Sequence, residues 1–285
     1  MPTYTMVIVD TTGIQSYIFG SNRLRENVGA SHLVHLATEG WLRERPQTLL
    51  GDLTHNLTHD GQIENGLDVE LFYAGGGNTV VLFRTDELAR QFTYKLSHTL
   101  IEDAPGLEVV AIRQKVDWDG SLATAMDLGF AQLQAHKAAR ERSQPLLGLG
   151  VTAACQSTGL VANYELDEPG ENGGQVLVSA EVKAKWDQNI PAKERLKSEL
   201  KLAIPADFDF PSDFDELGRS KGDFSYIAVV HADGNGMGKL LESLIQKYRT
   251  QTGTAANREL IREVRNFSRR VNDAGKAALA SVVKN

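Results

Sequence analysis

Two short glycine-rich motifs and one strand-end aspartate carry most of the chemistry that this sequence offers. The first motif is Asp233-Gly234-Asn235-Gly236-Met237-Gly238-Lys239, placed directly after an apolar run at residues 224–230. A carboxylate at the end of an inner strand is placed to hold a divalent metal. Glycines beside it let phosphates approach the backbone and the next helix N-terminus, and Lys239 adds a charge. The competing reading is a glycine turn in which Asp233 only caps the helix, because short glycine motifs are weakly specific. The second motif is Tyr73-Ala74-Gly75-Gly76-Gly77-Asn78, between two apolar runs. It reads as a hairpin tip whose glycines and asparagine supply positive φ. Neither Gly77 nor Asn78 can act as an anionic metal ligand. Asp10, followed by Thr11, Thr12 and Gly13, ends the first apolar run and is the counterpart of Asp233. With no acids on its hairpin, a capping role fits it better than catalysis.

The elements around these motifs follow from periodicity. Residues 3–9 read as a buried strand and residues 14–43 as a long helical stretch with Val28, Leu33, Leu36 and Ala37 on its inner face. Residues 69–74 and 79–83 are the strands of the hairpin. Leu88, Phe92, Leu96 and Leu100 recur every four residues, the stripe of an amphipathic helix. A strand follows at 107–116. Ser121 caps a helix whose face is Leu122, Met126, Gly129 and Leu133. A further strand is expected at 147–154, a surface loop at 165–174 and a charged helix near 192–202. Strand, helix, hairpin, helix, strand is a split β-α-β order, which predicts a ferredoxin-like sheet with helices on one face. Strand-Asp-Gly-helix then recurs at 225–245, and a long helix follows. The fold class is therefore α+β: a ferredoxin-like palm of the polymerase or cyclase kind at 1–160, a connector at 161–222, and the start of a second palm at 223–285.

Composition sets limits. The net charge is -7 in 285 residues, which argues against coating nucleic acid through overall charge but allows a local basic groove. The chain has one cysteine, Cys155, so an internal disulfide is excluded and no zinc is expected. No secretory leader or membrane-spanning run is visible, and a cytoplasmic location is expected. His32 and His35 share a helix face without metal-ligand spacing. Arg23, Arg25, Lys137, Arg140 and Arg142 are candidate phosphate contacts, although such helical cations are usually solvated.

The motifs resemble those of one family, the large palm-domain subunit of type III CRISPR effector complexes. The resemblance runs through residues 12–18 (TGIQSYI), 23–31 (RLRENVGAS) and 233–241 (DGNGMGKLL), and extends to the helix at 265–279. It implies two facing palms with ATP between them and, in active members, Mg²⁺- or Mn²⁺-dependent synthesis of cyclic oligoadenylate. It also implies other effector subunits and RNA as partners, and no membrane. It places nucleotide contacts at Asp10, Gly75, Gly76, Gly77, Asn78, Gly234, Asn235, Gly236 and Lys239, and a metal ligand at Asp233. The sequence departs from the family pattern in several ways. It has no GGDD, its first hairpin is GGGN, and Asn235 replaces the second acid. The zinc cysteines are reduced to Cys155, and no HD nuclease domain precedes the first palm. The acidic hairpin is expected in a following segment or a separate chain. Two functions stay open: the substrate-holding part of a nucleotidyl cyclase, or a degenerate nucleotide- or RNA-binding scaffold.

Overall fold

A computed structural model of the chain describes residues 2–58, 60–140, 148–167, 174–200, 210–211, 213 and 236–284. Its elements, in chain order, are β1 (Thr3–Thr12), α1 (Ile14–Ile18), α2 (Leu24–His35), α3 (Trp41–Glu44), α4 (Pro46–Leu50), β2 (His55–Asn56), β3 (Val69–Gly75), β4 (Asn78–Phe83), α5 (Asp86–Asp103), β5 (Glu108–Asp117) and α6 (Leu122–Ala139). Then come β6 (Tyr164–Asp167), β7 (Gln175–Val178), α7 (Ala180–Asp187), α8 (Asn189–Glu199), α9 (Met237–Gln246) and α10 (Thr254–Lys284).

The main sheet has the order β2-β3-β4-β1-β5. β1 lies between β4 and β5 and is antiparallel to both, and β3 pairs antiparallel with β4. Leaving aside the two-residue edge strand β2, this is the strand order of a ferredoxin-like βαββαβ palm, so the chain is an α+β palm-type protein. The strand expected at 224–230 lies outside the described residues. Of the residues expected to open a second palm, the described ones form α9 and α10.

Helices cover both faces of the sheet, not one as expected. Val7 and Val9 pack with Leu33, Trp41, Phe92 and Leu96 on one side. Tyr4, Met6 and Ile8 pack with Leu122, Met126 and Leu133 of α6 and with Leu260, Ile261 and Val264 of α10 on the other. The run Tyr4-Thr5-Met6-Val7-Ile8-Val9 has no polar alternation, as a strand buried on both faces requires.

Three other expectations change. The helical stretch at 14–43 is broken after Ile18, where Gly20, Ser21 and Asn22 are poor helix formers, and it resumes at Leu24. A π-turn at Leu36–Gly40 interrupts it again. There the Thr79 hydroxyl of β4 donates to the Thr38 carbonyl, and the Thr38 hydroxyl donates to the Val34 carbonyl at 2.9 Å, so helix polar groups are engaged from outside the ladder. Residues 148–154 form no strand. They make a turn, with Thr152 N–H on the Leu149 carbonyl at 2.9 Å, and one isolated bridge from Ala154 to Val161. The expected loop at 165–174 is instead bordered by a hairpin of β6 and β7, which packs around buried Cys155 and Val182.

Caps behave as the side chains dictate. The Thr85 and Ser121 hydroxyls each accept a helix amide, from Leu88 and Thr124, at 3.3 Å. Gly29 has no room for a side chain, because a Cβ there would sit 1.7 Å from the Lys185 carbonyl oxygen. That contact lets α2 and α7 touch backbone to backbone.

Candidate functional site

The hairpin tip is built by its glycines. Gly76 and Gly77 have φ of 63° and 87°, both positive, as a two-residue turn between twisted strands requires. The Thr11 amide and hydroxyl both donate to the Gly77 carbonyl, at 3.0 and 3.1 Å, which ties the tip to the end of β1. A Cβ on Gly77 would lie 2.7 Å from the Thr11 hydroxyl and 2.8 Å from Ile14 Cδ1. At the position after the first two glycines an acidic side chain would therefore be strained in backbone angle and crowded by Thr11 and Ile14. Gly76 faces open space.

Asp10 stands opposite Asn78 in the sheet register. Its carboxylate is taken by the ammonium of Lys137 from α6, which also lies 3.5 Å from the Thr11 carbonyl. Asp10, Gly75, Gly76, Gly77 and Asn78 thus form one cluster at the end of the sheet. Gly236 has φ 74° and precedes the first turn of α9. Asp233, Gly234 and Asn235 lie outside the described residues.

A cleft of about 760 Å³ brings the two motifs face to face. Gly75, Gly76 and Asn78 line one wall, and Met237 and Gly238, next to Gly236, line another. Lys239 is exposed on α9 and is not part of the wall. The remaining walls come from the π-turn region and from α8 and α10. They carry four permanent cations, Arg43, Arg195, Arg269 and Lys276, with His35 and two carboxylates, Glu39 and Glu199. Arg43 pairs with Glu39 at 2.8 Å, and Arg195 with Glu199 at 2.8 Å. Lys276 lies 3.6 Å from Glu199. Within an acidic chain this is a locally basic cleft, of the size that encloses a small ligand. Tyr73 forms part of the wall. Burial first, then the charges of Glu39 and Asp10, push its phenol up from the ordinary range.

The charged lining was not legible from motifs. His35 was visible only as one of a pair, and Arg195 sat in an anonymous charged helix. Arg269 and Lys276, seven residues apart on a predicted helix, were the only spacing signal. The basic residues that did stand out are engaged elsewhere. Arg25 is buried, lies over the Trp186 ring at 4.8 Å and donates to Asp213 at 3.3 Å. Arg23 lies 3.9 Å from Glu26, and Arg140 lies 3.6 Å from Glu108. Arg142 is outside the described residues.

α10 is locked to the first palm by a second polar cluster. Glu70 of β3 is fully buried. It accepts from Arg258 at 2.6 and 2.8 Å, from Arg265 at 2.7 Å and from the Ile63 amide at 2.7 Å. Arg258 also pairs with Glu64, and Arg265 donates to the Leu71 carbonyl at 2.6 Å. Asn257 accepts from the Leu122 amide at 2.9 Å and donates to the Trp118 carbonyl at 2.8 Å.

Among the described residues, no group of three or more His, Cys, Asp or Glu side chains is placed to hold a metal ion. With Asp10 paired to Lys137 and no acid at Gly77 or Asn78, this cluster does not fit a two-metal centre. No helix of the described residues is long and apolar enough to cross a membrane.

The fold and this cleft define a palm-type protein. No protein-family model matches the chain, and no curated protein matches it. It is similar to solved structures of Csm1-Csm4 cassettes, which belong to type III CRISPR effector complexes. The apo cassette is 16% identical, with a TM-score of 0.35, over 49% of this chain and 19% of the other. The cassette in complex with cA4 is 17% identical, with a TM-score of 0.35, over 48% of this chain and 19% of the other. The cassette in complex with pppApApA is 18% identical, with a TM-score of 0.36, over 63% and 25%. The chain thus spans about a quarter or less of the proteins it matches. The fold assignment rests on strand order and register.

Proposed function

We propose that this chain is the nucleotide-holding part of a palm-type protein of the CRISPR-associated, antiviral nucleotidyl-cyclase kind. The observation that carries the reading is the basic cleft in which the Gly75–Asn78 tip faces the first turn of α9. Glycines give phosphates access to main-chain amides, the helix N-terminus favours negative charge, and the excess of four cations over two carboxylates in the lining attracts a polyphosphate. ATP or another nucleotide is the proposed ligand. Asp233 is the proposed Mg²⁺ or Mn²⁺ ligand, with Gly234, Asn235, Gly236 and Lys239 beside it. Other effector subunits and RNA are the proposed partners. In a longer protein an acidic hairpin would complete the chemistry and convert ATP to a cyclic oligonucleotide.

A second reading, a catalytically degenerate scaffold, is favoured by one specific feature. At the first-palm tip an acid at Gly77 would be strained and crowded, and Asp10 is already neutralised.

Calorimetry with ATP and GTP, with and without Mn²⁺, tests binding. Arg195→Ala with Arg269→Ala removes two charge-assisted contacts and is expected to weaken affinity by about a hundredfold or more, at about 1.5–3 kcal/mol per contact. Unchanged affinity would remove the cleft from the proposal. Mass spectrometry of products from the full-length gene product separates the two readings. Cyclic or linear oligonucleotides support the cyclase, and binding without product supports the scaffold.

A further inference from the structure

Two apolar stripes meet across the sheet and both end in a charge. On β1 the stripe is Tyr4, Met6, Ile8 and then Asp10, and on α6 it is Leu122, Met126, Leu133 and then Lys137. The helix comes close because Gly129 sits over Ile8, where a Cβ would meet Ile8 Cδ1 at 2.7 Å. At the open end of this sandwich, Lys137 delivers its ammonium to the strand end. There it touches two oxygens, a carboxylate oxygen of Asp10 and, at 3.5 Å, the Thr11 carbonyl. A strand-end carboxylate and the neighbouring main-chain carbonyl are the pair of oxygen donors that a hard divalent cation would use at this position.

We infer that Lys137 is a tethered counter-ion that takes the place of a metal in the first palm. Three features support this. The ammonium contacts both oxygens that a cation would need. The Asp10 and Lys137 side chains are only 12% and 22% exposed, so the pair is shielded from exchange with bulk cations. On the opposite side of the site stands Gly77, where an acidic side chain would be strained by the positive φ and would press on Thr11 and Ile14. The arrangement neutralises Asp10 permanently and makes the tip independent of divalent ions. Any metal requirement of the protein would then arise elsewhere. The inference does not depend on a nucleotide occupying the cleft.

The test swaps the tethered cation for a free one. It is run on the full chain carrying Asp233→Asn, so that the proposed metal ligand of the second unit does not contribute. Lys137→Met keeps the stem and removes the charge. Its melting temperature is expected to fall by several degrees and to rise again with millimolar Mn²⁺ or Mg²⁺, but not with NaCl of equal ionic strength. The Asp10→Asn/Lys137→Met pair is expected to show no such rescue, and the parent no response. No metal rescue in Lys137→Met, or equal rescue in the double variant, would overturn the inference. A second measurement holds even if Lys137→Met does not fold. In the Asp233→Asn chain with Lys137 intact, Mn²⁺ is expected to leave the amide resonances of Asp10 and Thr11 unbroadened. Selective broadening there would show that a metal displaces the lysine.

Discussion

Glu70 and Asp10 are acids on the same face of one sheet, and they are held in opposite ways. Glu70, in the first half of β3, is fully buried and receives two guanidinium groups and a backbone amide, all within 2.8 Å. Its arginines come from α10, so it joins two parts of the chain. Asp10, beside the hairpin tip, has one ammonium from α6 and sits next to glycines that face a cleft. The difference shows a division of labour along one hairpin. The buried end is over-determined and fixes α10 against the palm, while the tip is left narrow, glycine-lined and open to a ligand.

The largest effect is expected where the fixed end is broken. Glu70→Ala removes the carboxylate shared by Arg258 and Arg265, leaving Arg258 with Glu64 and Arg265 with main-chain carbonyls, and the loss is expected to reach about 3 kcal/mol in urea denaturation. A loss below about 1 kcal/mol would mean that α10 is held by its apolar face alone. A smaller effect is expected at the tip. Gly77→Asp forces a side chain onto a backbone at φ 87° and against Thr11 and Ile14, at a cost of about 1–3 kcal/mol. If this variant were as stable as the parent and bound Mn²⁺ more tightly, the closed geometry assigned to the tip would be wrong.

The smallest effect concerns the helix behind the cleft. Burial first, then the positive charges of Arg195 and His35, push the buried His32 imidazole from 6.5 down to about 4. Between those values the unfolded chain binds a proton that the folded chain does not. His32 therefore favours the fold fully above pH 6.5, and stability falls as the pH drops toward 4, by at most about 1.4 kcal/mol per unit. Thermal melts at pH 7 and pH 5 check this, and His32→Leu is expected to flatten the slope. A slope unaffected by the substitution would assign the acid sensitivity to other groups.

Much of the palm was legible in the residues. Gly75-Gly76-Gly77-Asn78 between two β-branched and aromatic runs marks a hairpin, because glycine alone takes positive φ without cost. The four-residue repeat of Leu88, Phe92 and Leu96, and the serine before Leu122, mark helices in the same local way. Other expectations failed for reasons that are not local. The apolar run at 148–154 looks like a strand, yet pairs only at its end, through the Ala154 bridge, and Leu149 and Val151 are left exposed. The helix from residue 14 onward breaks at a Gly-Ser-Asn step and again where Thr79, 41 residues away, engages the Thr38 carbonyl. β6 and β7, four residues each, are too short to announce themselves.

The sequence by itself determined the α+β class, the order of strands and helices in the palm, and the glycine tip beside Asp10. These depend on side-chain type, short-range periodicity and backbone angle, all carried by neighbouring residues. Only the tertiary structure decided that both faces of the sheet are covered, that Lys137 neutralises Asp10, and that Arg258 and Arg265 close on Glu70. It alone gathered Arg43, Arg195, Arg269 and Lys276 around one cleft. Charges far apart in the chain meet through packing and desolvation, and no local pattern records which of them will meet.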